Sequence, residues 1–451
     1  MGLQLNIGSL TSGSGIDVQS TVEQLMSLQK APLTQMQQQQ TKLTSQASAL
    51  TDIQRKLQSL ENVVQSLGDY TGSLAARTAM SSQSSAISAT ARSAAVISQH
   101  QISVDHMASR SSWYSKPLSG STSLPTGSFT LQLGSKPTVT INVSNGDSLQ
   151  TVANNINAKN AGITANVISD ANGSRLTLIS NDTGTSNEIA VSADSVSLGF
   201  QESSSAKNAS LTVDGVQIDS ASNTISTVIP GVTLSLTGST TGTATLTVAA
   251  DSSQAEQAVN SFVSAYNSAI QAISAQFTYD PISKTAGPLS GDSSLRTIQE
   301  TLLGSLSYSM SNNNGIASLV SLGVNMQDDG TLSVDSGKLE SALASNYSAV
   351  QNFFQSTTPQ GFSQTFNATL KGMLDSSKGA VTVDLRGISD TNTSLQNQID
   401  DMNTRLDTEE QSLLLQFEQV DALLRSYPTT MDQISAVLAS LPSASINSSS
   451  K

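Results

Sequence analysis

Two histidines, His100 and His106, lie six residues apart in a stretch of alternating polarity. In a strand, even spacing puts both on one face, and two imidazoles make half of a zinc site. No third ligand follows nearby and the chain has no cysteine, so surface or turn histidines are the preferred reading. Asn325 to Ser336 sets Asp329–Gly330 where a calcium loop turns. It lacks the acid at the third position and the glutamate at the twelfth, so a hairpin turn is expected instead. Gly13–Ser14–Gly15 precedes a helical pattern without a strand before it or a lysine after it, which does not make a phosphate cradle. No nucleophile–histidine–acid pattern stands out, and Asp400–Asp401 and Glu409–Glu410 read as a solvated helix face. The expectation is a chain without catalytic residues, cofactor or metal, and not an enzyme. A secreted glycosidase working with carboxylates alone would escape that census.

Composition narrows the classes further. The 451 residues carry 21 Lys+Arg against 34 Asp+Glu, a net charge of −13. Phosphate affinity comes mainly from Lys and Arg, so neither nucleic acid nor an anionic membrane is an expected partner. Residues 251–451 hold 9 basic and 20 acidic residues, 9 − 20 = −11, so most of the excess lies in the C-terminal part. The absence of cysteine excludes disulfides and thiolate chemistry. No apolar run is long enough to span a membrane. The opening is too polar for a signal-peptide core, with its first positive charge at Lys30. A cytosolic protein, or one exported with its N-terminus intact, is expected, and the Ser/Thr-rich, cysteine-free composition favours the outside of a cell. Only 4% of residues are aromatic, which points to thin cores spread over an elongated shape.

The elements run helical, then β, then helical. Asp17 is the expected N-cap of a first helix carrying Val18, Val22, Leu25 and Met26. Ala31–Pro32 interrupts it. From Leu33 a three-four spacing runs through Met36, Gln40, Leu43, Ala47, Leu50, Leu57, Val64 and Leu67, with Ile53 and Leu60 beside it, until Gly68 and Gly72. The Gln-rich Gln35–Thr41 segment makes that seam weak. Alternation then predicts antiparallel strands at 102–104, 129–133, 139–143, 176–178, 211–213, 232–236 and 245–248, separated by turn signals such as Asn172–Gly173 and Asp214–Gly215. One amphipathic helix, Ser148 to Asn160, interrupts them. Trp113–Tyr114 is expected in a core. Helices return at Asp251–Ser252, at Leu295–Leu306 and at Leu339–Phe354, with a hairpin over Gly323–Val334.

A last helix begins its rhythm at Leu395, Ile399, Met402 and Leu406. It continues through Leu413, Phe417, Val420, Leu424, Tyr427, Met431, Ile434, Leu438 and Leu441 after a stutter at Glu409–Glu410. Pro428 is expected to kink or break it, and the Ser443–Lys451 tail reads as disordered. Such narrow stripes bury little area alone, so their natural partner is another stripe. The terminal helices should pair with each other and with copies from neighbouring subunits; an ordinary intramolecular bundle uses similar stripes.

These residues resemble the flagellar filament cap protein, or hook-associated protein 2, family. The opening Ser12–Gly13–Ser14–Gly15–Ile16–Asp17–Val18, then Gln24–Leu25–Met26 and Ala31–Pro32–Leu33, is similar to its N-terminal signature. Asn208–Ser210, Thr212–Gly215, Asn223–Thr224 and Gly231–Leu236 resemble its central segment. Phe262–Val263, Ala265–Tyr266–Asn267, Leu289–Ser290–Gly291–Asp292, Asp329–Gly330–Thr331–Leu332 and Phe353–Phe354 follow its C-terminal half, and Arg405–Leu406, Gln416–Phe417 and Met431 its closing helix. Residues Asn155–Ala165, Leu176–Thr183 and Gly184–Val191 look like a small β module of flagellar hook-associated proteins. Tyr427–Pro428 departs from the pattern.

The resemblance implies an α+β multidomain chain, with terminal coiled-coil helices, a helical bundle domain and two inserted antiparallel β-rich domains. The expected division is 1–45 with 410–451 as terminal legs, 46–77 with 253–409 as the helical domain with its small hairpin, 78–105 with 205–252 as one β-rich head domain, and 106–204 as the second. It also shifts the terminal seams toward contacts between subunits, made by Val18, Val22, Leu25, Leu33, Met36 and Leu43 with Leu413, Phe417, Val420, Leu424, Met431, Ile434 and Leu438. The implied function is an oligomeric structural cap at the filament tip that promotes insertion of exported flagellin and prevents its loss. The implied partners are other copies of the chain, flagellin, the hook–filament junction protein, a cytosolic export chaperone on the C-terminal helix and the flagellar type III exporter. The implied location is outside the cell, at the flagellar tip. The alternative is an extracellular adhesin that binds host glycans through its β-rich head domains.

Overall fold

The computed structural model describes residues 17–119, 123–282 and 284–440. The Ser12–Gly15 signature, Ile16, Leu441 and the Ser443–Lys451 tail lie outside the described residues. Eight α-helices are described: α1 (Val18–Gln29), α2 (Ala31–Gly68), α3 (Leu149–Ala158), α4 (Ser252–Phe277), α5 (Ser293–Ser305), α6 (Ser336–Gln355), α7 (Phe362–Leu374) and α8 (Ala380–Ser440). Capping explains several starts: the Asp17, Asp251, Asp292 and Asp335 side chains each accept a backbone N–H of their helix's first turn.

The first β-rich core lies between two antiparallel sheets. One runs in the order Arg77–Ser81, Ala244–Ala250, Ser98–His106, Ala209–Val213, Val216–Ser220, the other in the order Thr224–Ile225, Val232–Leu236, Ile87–Ala91. Alternate residues turn inward, so Ile102, Val104, Leu211, Val213, Leu234, Leu246 and Val248 share one buried cluster. Asp214–Gly215 joins two of the strands with Val213 paired to Val216. Both turn residues have positive φ, +50° and +83°, the conformation of a two-residue hairpin turn that follows the strand twist.

The second β-rich core has sheets ordered Gln201–Ser204, Ser112–Tyr114, Gly173–Ser180, Ile163–Asp170 and Val139–Val143, Gly127–Leu133, Ile189–Ser192. The apolar face of α3, Val152 and Ile156, closes it against Phe129, Leu176 and Leu178. Trp113 packs partly buried against this cluster.

The largest core is helical. Leu50, Ile53, Leu57, Leu60, Val64 and Leu67 of α2 meet Val259, Phe262, Tyr266, Ile270 and Ile273 of α4, with α5, α6 and α7 around them. Its centre is aromatic. Phe353 stacks on Phe362 at 5.7 Å between ring centroids, and Phe362 meets Phe262 edge-on at 5.5 Å. Ile53 and Leu60, expected beside the seam, belong to it.

Three local expectations change. The break at Ala31–Pro32 is slight: only Lys30 separates α1 from α2, and its own φ and ψ are helical. Proline stands in the first turn of α2, where its missing N–H has no helical acceptor to lose. Helix α7 has no counterpart among the expected elements, and α8 starts at Ala380 rather than near Leu395. Pro428 neither ends nor interrupts α8, which runs to Ser440. It stands on an exposed stretch, where water can satisfy the carbonyl one turn back that loses its partner.

Candidate assembly surface

The terminal seam is built by α1, the start of α2 and α8 from Gln396 onward. Helix α1 packs on α8, and α2 packs on α8 in continuation. Val22, 1% exposed, joins Met26 and Leu406 in a small buried cluster. Val18, Leu33, Met402, Leu413, Leu414 and Phe417 pack partly buried against it. Polar contacts flank the contact line: Lys30 Nζ lies 3.9 Å from Glu410 Oε2, and the Gln40 amide donates to Gln396 Oε1. The Gln run that weakens the seam thus makes at least one cross-helix hydrogen bond.

The thirteen anticipated seam residues separate into two groups. Val22 is buried, and Val18, Leu25, Leu33, Met36, Leu43, Leu413, Phe417 and Leu424 are half-buried, all within a single chain. Val420, Met431, Ile434 and Leu438 are exposed. Of the thirteen, the N-terminal members are therefore at least half-covered within one chain, and the exposed ones all lie on the end of α8. Leu423 and Tyr427 add to that surface, at 69% and 66% exposure. Leu423 was not expected in the seam, because it falls outside the four-three rhythm. An exposed run of large apolar side chains over more than four helical turns is the kind of surface that soluble proteins cover with a partner.

The histidines have separate roles. His100 Nδ1 lies 2.7 Å from Asp214 Oδ2, whereas His106 Nδ1 lies 2.8 Å from Asp105 Oδ2. Among the described residues no cluster of three or more His, Cys, Asp or Glu could hold a metal. The fold does align Ser98, His100 and Asp214, a row the sequence hides because Asp214 comes from a distant hairpin. Ser98 Oγ is 3.0 Å from His100 Nε2, and 2.9 Å from the Val96 carbonyl, to which it donates. Asp214 Oδ1 also accepts the Gln101 N–H at 2.8 Å. These hydrogen bonds hold the Asp214 carboxyl below the usual carboxylate range, the His100 contact contributing most. With its hydroxyl shared and its carboxylate half-exposed, the row ties the hairpin turn to the strand Ser98–His106.

Among the described residues no helix is long and apolar enough to cross a membrane. Family models match in chain order. The N-terminal model of flagellar hook-associated protein 2 covers residues 14–111, the flagellin hook IN motif 128–182, and the C-terminal model of flagellar hook-associated protein 2 covers 206–429. The flagellar hook-associated protein 2 of Escherichia coli is 32% identical over 94% of this chain and 96% of its own length. The B-type flagellar hook-associated protein 2 of Pseudomonas aeruginosa is 28% identical over 80% of this chain and 83% of its own. The crystal structure of the flagellar cap protein FliD from Escherichia coli is similar with a TM-score of 0.58 at 32% identity, covering 76% of this chain and 99% of that one. The multidomain α+β architecture, the motif order and the near full-length likeness agree: the chain belongs to the flagellar hook-associated protein 2 family.

Proposed function

We propose that this chain is the structural cap at the distal end of the bacterial flagellar filament, working as an oligomer whose subunits meet through the end of α8. The observation that carries this reading is the row Val420, Leu423, Tyr427, Met431, Ile434 and Leu438, exposed on one chain. Val22, Met26 and Leu406 already pack within the chain, so the N-terminal helix acts as a brace that holds α8 for its neighbours. The family likeness supports the cap role, with flagellin as the protein inserted beneath it and the filament tip as its place.

The finer partners follow the same reading: the hook–filament junction protein as first seat, a cytosolic chaperone covering the C-terminal helix before export, and the flagellar type III exporter as the route out. The separate apolar clusters support a division into terminal legs, a helical domain and two β-rich head domains near the boundaries expected from the sequence. No observation on the described β-rich domains favours the adhesin alternative.

The test is complementation. In a flagellate strain made non-motile by deletion of its own hook-associated protein 2, the full chain should restore filaments and swimming. A version ending before Val420 should stay folded by circular dichroism and fail to restore them. Full motility from the shortened chain would overturn the role given to the end of α8.

A further inference from the structure

The row Ser98–His100–Asp214 has the wiring of an activated serine as well as that of a tie. Ser98 and His100 lie two apart on one strand, so both side chains rise from the same face of the sheet. Asp214 reaches them from the hairpin turn, and its Oδ2 meets the ring at Nδ1, 2.7 Å away. A carboxylate at that position keeps the ring proton on Nδ1 and leaves Nε2 as an acceptor. Nε2 is the nitrogen that faces Ser98 Oγ, at 3.0 Å. The hydroxyl proton has two acceptors, the Val96 carbonyl at 2.9 Å and Nε2, and only Nε2 is basic enough to remove it. Nucleophile, base and orienting acid are thus joined in the order, and through the ring nitrogens, that serve acyl transfer on serine.

The row stands at an open edge of the sheet. The pairing of the strand Ser98–His106 with Ala209–Val213 ends at Ile102. Beyond it the Asp214 N–H donates to the Gln101 carbonyl, and Asp214 Oδ1 accepts the Gln101 N–H. Backbone groups of a strand alternate between its two sides. The Gln99 N–H therefore points to the same side as that of Gln101, one step past the turn, where among the described residues the register gives it no strand partner. This N–H follows Ser98 directly and is placed to donate to an oxygen that gains charge as Ser98 attacks a carbonyl. The His100 side chain is 20% exposed and that of Asp214 48%, so a small molecule can reach the row. Val96 and Ile97, both exposed, precede Ser98 and offer apolar contact, while the Asp214 charge repels anions.

We infer that Ser98 is a reactive nucleophile that hydrolyses small, neutral carboxylic esters, with His100 as general base and Asp214 as the positioning residue that orients it. Oγ attacks the ester carbonyl carbon while its proton passes to His100 Nε2. The bond from that carbon to the alcohol oxygen breaks, and the alcohol leaves with the proton. Nε2 next takes a proton from water, the hydroxide attacks acyl-Ser98, and Oγ regains the proton as the carboxylic acid departs. One ester and one water give one acid and one alcohol. The site belongs to the first β-rich core and does not involve α8, so this activity stands or falls separately from the cap role.

The test is labelling of the full chain with an alkyl fluorophosphonate, read by peptide mass spectrometry, with p-nitrophenyl acetate turnover measured beside it. The expected result is a label on Ser98 in preference to the chain's other serines, which act as internal controls. His100→Gln should slow labelling at Ser98 by about 100-fold or more, the usual contribution of a positioned base. Asp214→Asn should slow the same labelling while the circular dichroism spectrum stays that of wild type, an effect that a merely structural tie would not produce. Ser98→Ala should abolish ester turnover beyond the background of the buffer. Should His100→Gln unfold, the wild-type label pattern and the turnover of Ser98→Ala decide the matter. No label at Ser98, labels spread evenly over many serines, or turnover unchanged in Ser98→Ala would overturn the inference. So would equal labelling rates in wild type and a folded His100→Gln.

Discussion

Replacing Ile434 and Leu438 together by glutamine separates folding from assembly. Both residues are exposed on one chain, at 49% and 65%. Fully burying such a side chain is worth about 1.5–3 kcal/mol, so covering the exposed part contributes about 0.75–1.5 kcal/mol at Ile434 and about 1–2 kcal/mol at Leu438. The sum is about 1.75–3.5 kcal/mol per copy, which at about 1.4 kcal/mol per decade weakens self-association about 20- to 300-fold. Glutamine is a good helix former, so α8 should keep its helicity. The assay is sedimentation equilibrium of wild type and variant over a concentration series, with circular dichroism on the same samples. The expected pair of results is weaker association and an unchanged spectrum. Equal association would mean that Ile434 and Leu438 are not covered by a neighbouring subunit. So would a large loss of helix in the variant, because that would place the two side chains in an intramolecular contact.

Two further predictions concern single domains. Leu57→Ala removes a fully buried side chain from the helical core and should cost about 2–5 kcal/mol; urea unfolding should show a destabilised helical transition while a tryptophan signal from Trp113 in the second β-rich core is unshifted. Asp214→Asn removes a carboxylate whose folded pKa is lowered by its hydrogen bonds with His100 and Gln101. A carboxylate of that kind stabilises above its unfolded pKa of about 3.9, and the contribution is lost as pH falls through the lower folded value. The variant should melt below wild type at pH 6, with the difference shrinking as pH drops below about 4; a gap that grows in acid would contradict the assignment.

The sequence shows elements most clearly where one period operates alone. Strands such as Phe129–Leu133 and Val232–Leu236 alternate cleanly because one face is buried, and Asp214–Gly215 marks its hairpin because that turn demands positive φ at both residues. Helix α7 was harder to see. Its buried Phe362, Phe366, Leu370 and Met373 hold a helical rhythm, but the segment is short and follows Thr357–Thr358–Pro359. The cost of Pro428 depends on whether water reaches the freed carbonyl, which a sequence does not state. At the assembly surface the seam residues were legible as apolar positions. Which of them pack within one chain was not: that depends on where α1 lies along α8, a matter of three-dimensional register. Leu423 was missed because an exposed surface need not follow a strict heptad.

The cap claim is tested most directly by electron microscopy of filament tips, in a strain lacking its own hook-associated protein 2 and supplied with this chain. A plate of several copies is expected on each tip, with the Val420–Leu438 stretches of neighbouring subunits in mutual contact beneath it. Bare tips, or copies seated there with those stretches facing solvent, would contradict it.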